Sequence, residues 1–260
     1  MSIDVLEAPI RVVSRAQKAV PAGDDGALTA KCSNCHLREL CLPCGLSGTD
    51  VEWLDRLILG RRRVKAGQSL YREGDRFQFI YAVRMGSFKS VLMLADGREQ
   101  VSAFHMAGEV MGLDGLAQGR HASGAVALED GEVCAIPYAH LAELSAERSN
   151  LQNLVSRLMS REIVRDHSVM MLLGNMNAEE RLAAFLLNLS QRMKARGYSA
   201  TEFHLRMSRE EIGSYLGMKI ETVSRTFTAF QQQRLLEVDK RHIRIRDLQG
   251  LGATLQARAQ

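Results

Sequence analysis

Four of the five cysteines fall within thirteen residues, in Cys32-Ser-Asn-Cys35-His-Leu-Arg-Glu-Leu-Cys41-Leu-Pro-Cys44, and the fifth, Cys134, stands about ninety residues further on. Such clustering is poor material for a disulfide framework in a reducing compartment and good material for holding a metal. Thiolates are soft ligands, which points to zinc or to an iron–sulfur cluster, and the spacing alone does not choose between them. Four local cysteines can close a zinc site by themselves. A site that recruits Cys134 would instead tie the N-terminal segment to a folded domain, so that changes at the metal move the domain. No Ser/His/Asp constellation, second cofactor fingerprint or glycine-rich nucleotide loop in the right strand and helix order supports an enzyme. No catalytic residue is assigned.

The chain that must position these thiols has 260 residues, 46% of them apolar and 25% charged, enough for one large or two ordinary cores. No run of about eighteen apolar residues occurs, so no membrane span is expected. The first thirty residues lack the long apolar core of a signal peptide, and a cytoplasmic protein is expected. Net charge is +4, and the segment Arg206–Arg246 alone, with nine Lys/Arg against five Asp/Glu, carries an equal excess. A polyanion partner is therefore expected at the C-terminal end.

Residues 1–29 mix Ala, Gly, Asp and Pro without period and read as a flexible tail; the cysteine-rich segment covers 30–47. Val51, Leu54, Leu57 and Ile58 recur at helical spacing, and a short helix packing Trp53 into a core is expected. From about Arg62 to Pro137, short apolar–polar alternations are broken by glycine about every eleven residues. That pattern predicts an antiparallel β-roll or barrel, with a two-residue type I′ hairpin at Asp96-Gly97. Gly108-Glu109-Val110-Met111-Gly112 invites comparison with a phosphate cradle, but a lone glycine pair reads first as turn geometry.

Beyond Pro137 the chain has no proline and the pattern turns helical. Ser149–Gly174 predicts one long helix, on which Met159, Ile163, Asp166, Met170 and Leu173 form a heptad-like seam, apolar except for Asp166. A two-fold dimer helix whose carboxylates oppose pairing is expected. Asn177 and Glu180, and then Ser208 and Glu211, are capping pairs that open further helices. After Gly217 a second short helix begins at Ile220, which makes a helix-turn-helix buried through Ile212, Leu216, Val223 and Phe227. Glu221, Ser224 and Arg225 fall on its outward face, where Arg can bond guanine bidentately, Glu can accept from cytosine and Ser can meet a base edge or phosphate. The alternation on either side of Asp239–Arg241 predicts a hairpin wing, with Lys240 and Arg241 as candidate phosphate contacts.

The order cysteine segment, β-roll, long helix and winged helix-turn-helix resembles the cyclic-AMP receptor protein superfamily, and specifically its fumarate and nitrate reductase regulator branch, over about residues 30–246. The most specific marks are Cys32-x2-Cys35-x5-Cys41, Cys134 within Glu132-Val-Cys-Ala-Ile-Pro, the run Asn177-Ala-Glu-Glu-Arg-Leu-Ala-Ala-Phe, and Glu221-x-x-Ser224-Arg225. The resemblance implies an α+β fold: a β-roll (double-stranded β-helix) sensor domain over 48–145, a dimerisation helix over 146–175, a winged helix-turn-helix over 176–250 and a tail over 251–260. It implies one [4Fe–4S] cluster per chain on Cys32, Cys35, Cys41 and Cys134, with Cys44 spare or an alternative ligand.

By the same resemblance the chain would be an oxygen-responsive global regulator of anaerobic metabolism. The cluster would favour a DNA-binding homodimer on a palindromic TTGAT-type operator, and its oxidative loss would switch binding off. RNA polymerase would be met at Asp96 and Gly97. Cyclic-nucleotide members follow their Gly-Glu motif with an Arg-Ser/Thr pair, and here those positions read Ala122-Ser123, which disfavours a cyclic nucleotide. His36 and Leu40 flank the cysteines as candidate tuning and shielding residues. The rival is a zinc-stapled DNA-binding regulator that answers another ligand or thiol oxidation.

Overall fold

The structure, a computed structural model, describes residues 31–58, 60–94 and 96–255. The tail expected over 1–29 and the end of that expected over 251–260 lie outside the described residues. The chain divides into two compact units between Glu147 and Arg148.

In the first unit, helix α1 (Gly48–Leu57) is capped by Ser47, whose Oγ accepts from the Asp50 amide at 3.2 Å. It buries Val51, Leu54 and Leu57. Trp53 departs from the expected core packing: it is half-exposed, with the Arg56 guanidinium 4.5 Å above its ring. The turn carrying Val51 and Leu54 fills the core face, and the indole, one residue off that stripe, is left to snorkel at the rim.

Eight antiparallel strands follow: β1 (Gly60–Val64), β2 (Ser69–Tyr71), β3 (Phe79–Met85), β4 (Ser87–Met93), β5 (Glu99–Met106), β6 (Val110–Met111), β7 (Gly124–Ala127) and β8 (Gly131–Pro137). They form two four-stranded sheets, ordered β1-β8-β3-β6 and β2-β7-β4-β5. Between the sheets, Val64, Leu70, Tyr71, Val83, Phe88, Met111 and Val133 make the core. Alternation puts these side chains inward and polar ones outward, as a two-layer β-roll requires. Helix α2 (Tyr138–Glu147) packs on β8. The β4–β5 hairpin is not the two-residue type I′ loop expected. Leu94 N–H donates to Arg98 O and Gly97 N–H to Leu94 O, both at 2.8 Å, so three residues separate the closing pair, and among the described ones Gly97 takes a left-handed φ of 86°. This is the next commonest hairpin solution, in which one glycine satisfies the twist.

The second unit opens with α3 (Ser149–Asn175), 27 residues long and preceded by an extended Arg148, so residues 146–147 belong to α2 rather than to the long helix. Its N-cap is Arg148, which makes no side-chain cap bond, in place of the Ser149 or Asn150 favoured by propensity. Helix α4 (Ala178–Ala195) begins in a complete capping box, Asn177 N–H to Glu180 Oε2 at 2.7 Å and Glu180 N–H to Asn177 Oδ1 at 3.0 Å. Then come β9 (Glu202–His204), α5 (Arg209–Leu216), α6 (Ile220–Gln232), β10 (Leu236–Asp239), β11 (His242–Ile245) and α7 (Leu248–Ala253). The wing is a three-stranded sheet, β10-β11-β9, rather than a lone hairpin. Helix α7 occupies part of the expected tail because Asp247 caps it and the fully buried Leu251 holds it where α7 packs on α4. Among the described residues no helix is long and apolar enough to cross a membrane.

Candidate metal centre and nucleic-acid interface

The cysteine segment has no regular helix or strand; consecutive turns wind it. Cys35 N–H donates to Cys32 O, Arg38 N–H to Cys35 O, Cys41 N–H to Leu37 O and Cys44 N–H to Cys41 O, all at 2.9–3.1 Å. Buried Leu37, Leu42 and Leu46 pin this winding to the first unit. From α1, Asp55 accepts from the Cys32 and Ser33 amides and, at 2.6 Å, from Ser33 Oγ. Leu40 seats on Gly108, whose φ of 89° suits glycine and where an added Cβ would meet Leu40 Cβ at 3.0 Å. Gly108 therefore lets the cysteine segment approach the β-roll backbone and is more than a turn residue.

This winding and strand β8 bring Cys32, Cys35, Cys41 and Cys134 to one cavity, walled by apolar residues that include Leu37, Leu42, Ile58 and Ile136. Among the described residues that line it, Cys44 is not one. Burial pushes the Cys41 thiol up to about 12 and the Cys32 thiol well above its ordinary value, and the nearby sulfurs add to both shifts. Cys134 is raised by burial too, against the pull of Arg84 and Arg61. Each of the four thiols is within electrostatic reach of the other three. Ionised together, they need cationic charge among them, which a metal centre supplies. No group of three or more His, Cys, Asp or Glu among the described residues is arranged to hold a single metal ion. The donor set, four soft sulfurs in an apolar wall, suits an iron–sulfur cluster. His36 is exposed beside this site.

Four residues at or beside the cavity were given no role by sequence reading. Arg61 pairs directly across from Cys134 on β1, Ala82 pairs with Cys134 from β3, and Arg84 follows two positions on. Glu132, two residues before Cys134 on β8, lies 3.1 Å from Arg84 Nε and 3.5 Å from Arg61 Nε. The spacing of two between Glu132 and Cys134 puts both on one face of a strand and was a readable signal. The two arginines depend on cross-strand register and were not readable.

In the β-roll, Asp114 Oδ2 accepts from Ser123 N–H and Oγ–H, each at 2.8 Å, and Asp114 Oδ1 lies 3.2 Å from His121 Nδ1. Although burial opposes it, these bonds hold the Asp114 carboxyl below its usual range. The His121 ring stacks on Tyr71 at 3.8 Å. Arg120 points elsewhere and donates to Gly74 O at 2.7 Å. At the hairpin, exposed Asp96 accepts from Arg98 Nε at 2.7 Å, which keeps its carboxyl low.

In the helix-turn-helix, Ser208 N–H donates to Glu211 Oε2 at 2.6 Å and Glu211 N–H to Ser208 Oγ at 3.1 Å, while Gly217 closes α5 with a φ of 63°. Ile212, Leu216, Val223 and Phe227 are buried, as their spacing predicts. The Arg209 guanidinium lies 3.4 Å over the Phe227 ring, and desolvation lowers its pKa to about 10. Glu221, Ser224 and Arg225 stand exposed on one face of α6, opposite Val223, Phe227 and Phe230. Lys240, in the left-handed region at φ 55°, and Arg241 form the exposed tip of the wing. Arg181 donates to Leu173 O at 2.7 Å, to Met176 O at 2.9 Å and to Leu216 O at 2.9 Å, tying the end of α3 to the turn before α6.

On α3, Leu151, Leu154, Leu158 and Leu172 are buried, while Met159 is 36% exposed, Ile163 54% and Met170 60%. Asp166 lies exposed in this row. Leu173, expected to continue the row, is half-buried and also lies near Gly217, where an added Cβ would meet it at 3.2 Å.

A β-roll followed by a long helix and a winged helix-turn-helix defines a DNA-binding transcription regulator. The cyclic nucleotide-binding domain family matches residues 61–148, and the Crp-like helix-turn-helix domain family matches 180–254. The transcriptional regulatory protein btr of Bordetella pertussis is 48% identical over 90% of this chain and 96% of its own length. The fumarate and nitrate reduction regulatory protein of Salmonella typhimurium is 41% identical over 88% of this chain and 91% of its own. Among solved structures, FixK2 from Bradyrhizobium japonicum superposes with a TM-score of 0.70 at 30% identity, covering 75% of this chain and 96% of that one. The chain belongs to the fumarate and nitrate reductase regulator branch of the cyclic-AMP receptor protein superfamily. It is a transcription regulator of anaerobic metabolism and not an enzyme.

Proposed function

We propose that this regulator senses oxygen, with Cys32, Cys35, Cys41 and Cys134 holding one [4Fe–4S] cluster per chain. The observation that carries the reading is the cavity those four thiols line, from which Cys44 is absent; a local zinc site would need Cys44 in it. When bound, the cluster supplies an oxygen-labile link between the cysteine segment and the β-roll, one that favours the DNA-binding homodimer and whose oxidative loss switches binding off. The chain's own residues do the rest. Asp55 and the Leu40–Gly108 contact hold the segment in place for the thiols. The apolar walls limit the access of water to the partly exposed sulfurs.

The homodimer forms through the exposed row Met159, Ile163 and Met170, with Asp166 weakening it so that a small bias decides association. Replacing Asp166 by Ala removes a facing pair of like charges, worth about 1–2 kcal/mol on a half-buried seam. Sedimentation of the air-exposed variant is expected to show dimerisation tightened about 5- to 30-fold over wild type; an unchanged constant would place the interface elsewhere. The dimer presents two copies of α6 to a palindromic TTGAT-type operator, read by Glu221, Ser224 and Arg225, with Lys240 and Arg241 on phosphate. The Asp96-Gly97 hairpin is the surface offered to RNA polymerase, with Asp96 already engaged by Arg98. A cyclic nucleotide is not the signal: the donors of His121 and Ser123 are committed to the Asp114 carboxylate, which would repel a cyclic phosphate.

The test is purification without air, metal analysis and absorbance as air is admitted. About four irons per chain and a band near 400 nm that bleaches in step with operator release are expected. One zinc per chain with an air-indifferent spectrum overturns the proposal in favour of a zinc-stapled regulator.

A further inference from the structure

Beside the four thiols the β-roll carries more positive than negative charge, and the imbalance is largely shielded from water. Arg61 and Arg84 share a single carboxylate, Glu132, and the three side chains are 21%, 23% and 10% exposed. One acid cannot neutralise two guanidinium groups. Arg61 Nε is buried and, although 3.5 Å from Glu132 Oε1, has no hydrogen-bond partner among the described residues. Arg84 forms part of the cavity wall and directs Nη1 at Cys35 Sγ, 3.8 Å away. A neutral thiol is a weak acceptor and a thiolate a strong one, so this donor is aimed at an atom that repays it only when ionised.

Local backbone geometry explains how Arg84 gets there. Val83 pairs with Val133 and Met85 with Glu132, so the β3–β8 register shifts between them and Arg84 is the extra residue of a bulge. Regular pairing would have set Arg84 opposite Glu132; the bulge gives that place to Met85 and re-aims the arginine. A largely shielded cationic surplus, a guanidinium nitrogen without a hydrogen bond and a second guanidinium aimed at sulfur all call for ionised sulfurs in the cavity.

We propose that Arg84 is a positioning residue for the thiolate-held cluster: it donates to the Cys35 sulfur, with Glu132 bracing its guanidinium from behind and Arg61 adding charge, and so sets how readily oxygen oxidises the centre. The inference rests on the iron–sulfur reading above and deepens it. A thiolate-ligated cluster is net negative, and a nearby cation stabilises its more reduced states. Outer-sphere hydrogen bonds of this kind tune potential and lability without ligating the metal.

The full-length wild type and the variants Arg84→Ala, Arg84→Lys and Glu132→Gln are purified without air and compared in three readouts: iron per chain, midpoint potential, and first-order bleaching rate at fixed dissolved oxygen. At equal iron, Arg84→Ala is expected to have a lower potential and to bleach about 10-fold faster. Lys restores the charge without the planar fork and falls between the two. Glu132→Gln frees the cationic surplus and shifts potential and rate the opposite way. That opposite sign decides the matter even where Arg84→Ala takes up too little iron to measure, since a structural ion pair would make both variants worse alike. Potentials and rates equal to wild type in the loaded variants overturn the role of Arg84. A wild-type chain that takes up no iron overturns the cluster reading itself, and this inference with it.

Discussion

A Cys134→Ser chain purified without air is expected to retain less than about a tenth of the wild-type iron, the lower end of what even outer-sphere changes cost a metal site. Serine is isosteric but its hydroxyl does not ionise near neutrality, so the site loses one of its anionic sulfurs. Cys134 is also the only one of the four carried by the β-roll; the others lie on the turns between Lys31 and Leu46. Losing it leaves those turns held by Asp55, the Leu40–Gly108 contact and the buried leucines alone. Operator affinity without oxygen is expected to fall about 5- to 150-fold, the span of a coupling free energy of 1–3 kcal/mol.

The fold should survive the exchange. Cys134 is half-buried, and a thiol-to-hydroxyl change there costs about 1 kcal/mol, which thermal melting of the metal-free chains will check. The companion Cys44→Ser chain keeps its iron and its oxygen response. A local zinc site would give the reverse pattern, with Cys134→Ser harmless and Cys44→Ser stripped of metal. Metal analysis of two variants thus separates the two chemistries by a crossed result that general destabilisation does not mimic.

What could be read from the chain follows from how local the signal is. The helix-turn-helix is written in short-range terms: a Ser-x-x-Glu box at Ser208, a glycine at 217 to end α5, and apolar residues whose period fits two crossing helices. Each of those signals corresponds to a bond, a left-handed φ or a buried side chain in the structure. Alternation and regular glycines likewise announced the β-roll, because a sheet with one face inward must repeat every second residue. Strand β9 went unread since three residues are too few to show a period; its place is fixed by pairing with β11.

Around the cavity the legible part was residue type and the illegible part was register. Four clustered cysteines announced a metal site, but spacing left both a local site with Cys44 and one recruiting Cys134 open, and the resemblance to a known family named the second. That Arg61 faces Cys134, and that a bulge turns Arg84 toward Cys35, depends on strands tens of residues apart meeting at one offset. A slip of one residue would send these side chains to the other face. Trp53 marks the complementary error: it sat where an apolar residue should be buried, and the turn carrying Val51 and Leu54 took the core face instead.

Replacing Arg225 by Ala is expected to weaken specific operator binding far more than it weakens binding to unrelated DNA. A guanidinium bonded bidentately to a guanine edge contributes about 1–3 kcal/mol of discrimination, and a two-fold dimer makes the contact twice. The loss is then about 2–6 kcal/mol, or roughly 30- to 25,000-fold in operator affinity. Arg225 is exposed and, among the described residues, held only by a long bond, 3.4 Å, from Nη2 to Thr222 Oγ1, so the variant's melting temperature and iron content should match wild type. Arg225→Lys is expected to recover little, because a lysine keeps the charge and loses the fork. Lys240→Ala at the wing tip provides the contrast: a phosphate contact carries no sequence information, so its loss should weaken all DNA alike and lower the salt dependence by about one ion per contact. Titrations against operator and scrambled duplexes at two salt concentrations resolve the pair. If Arg225→Ala instead lowered both affinities equally, the outward face of α6 would be gripping the backbone, and sequence reading would have to lie with Glu221 and Ser224 alone.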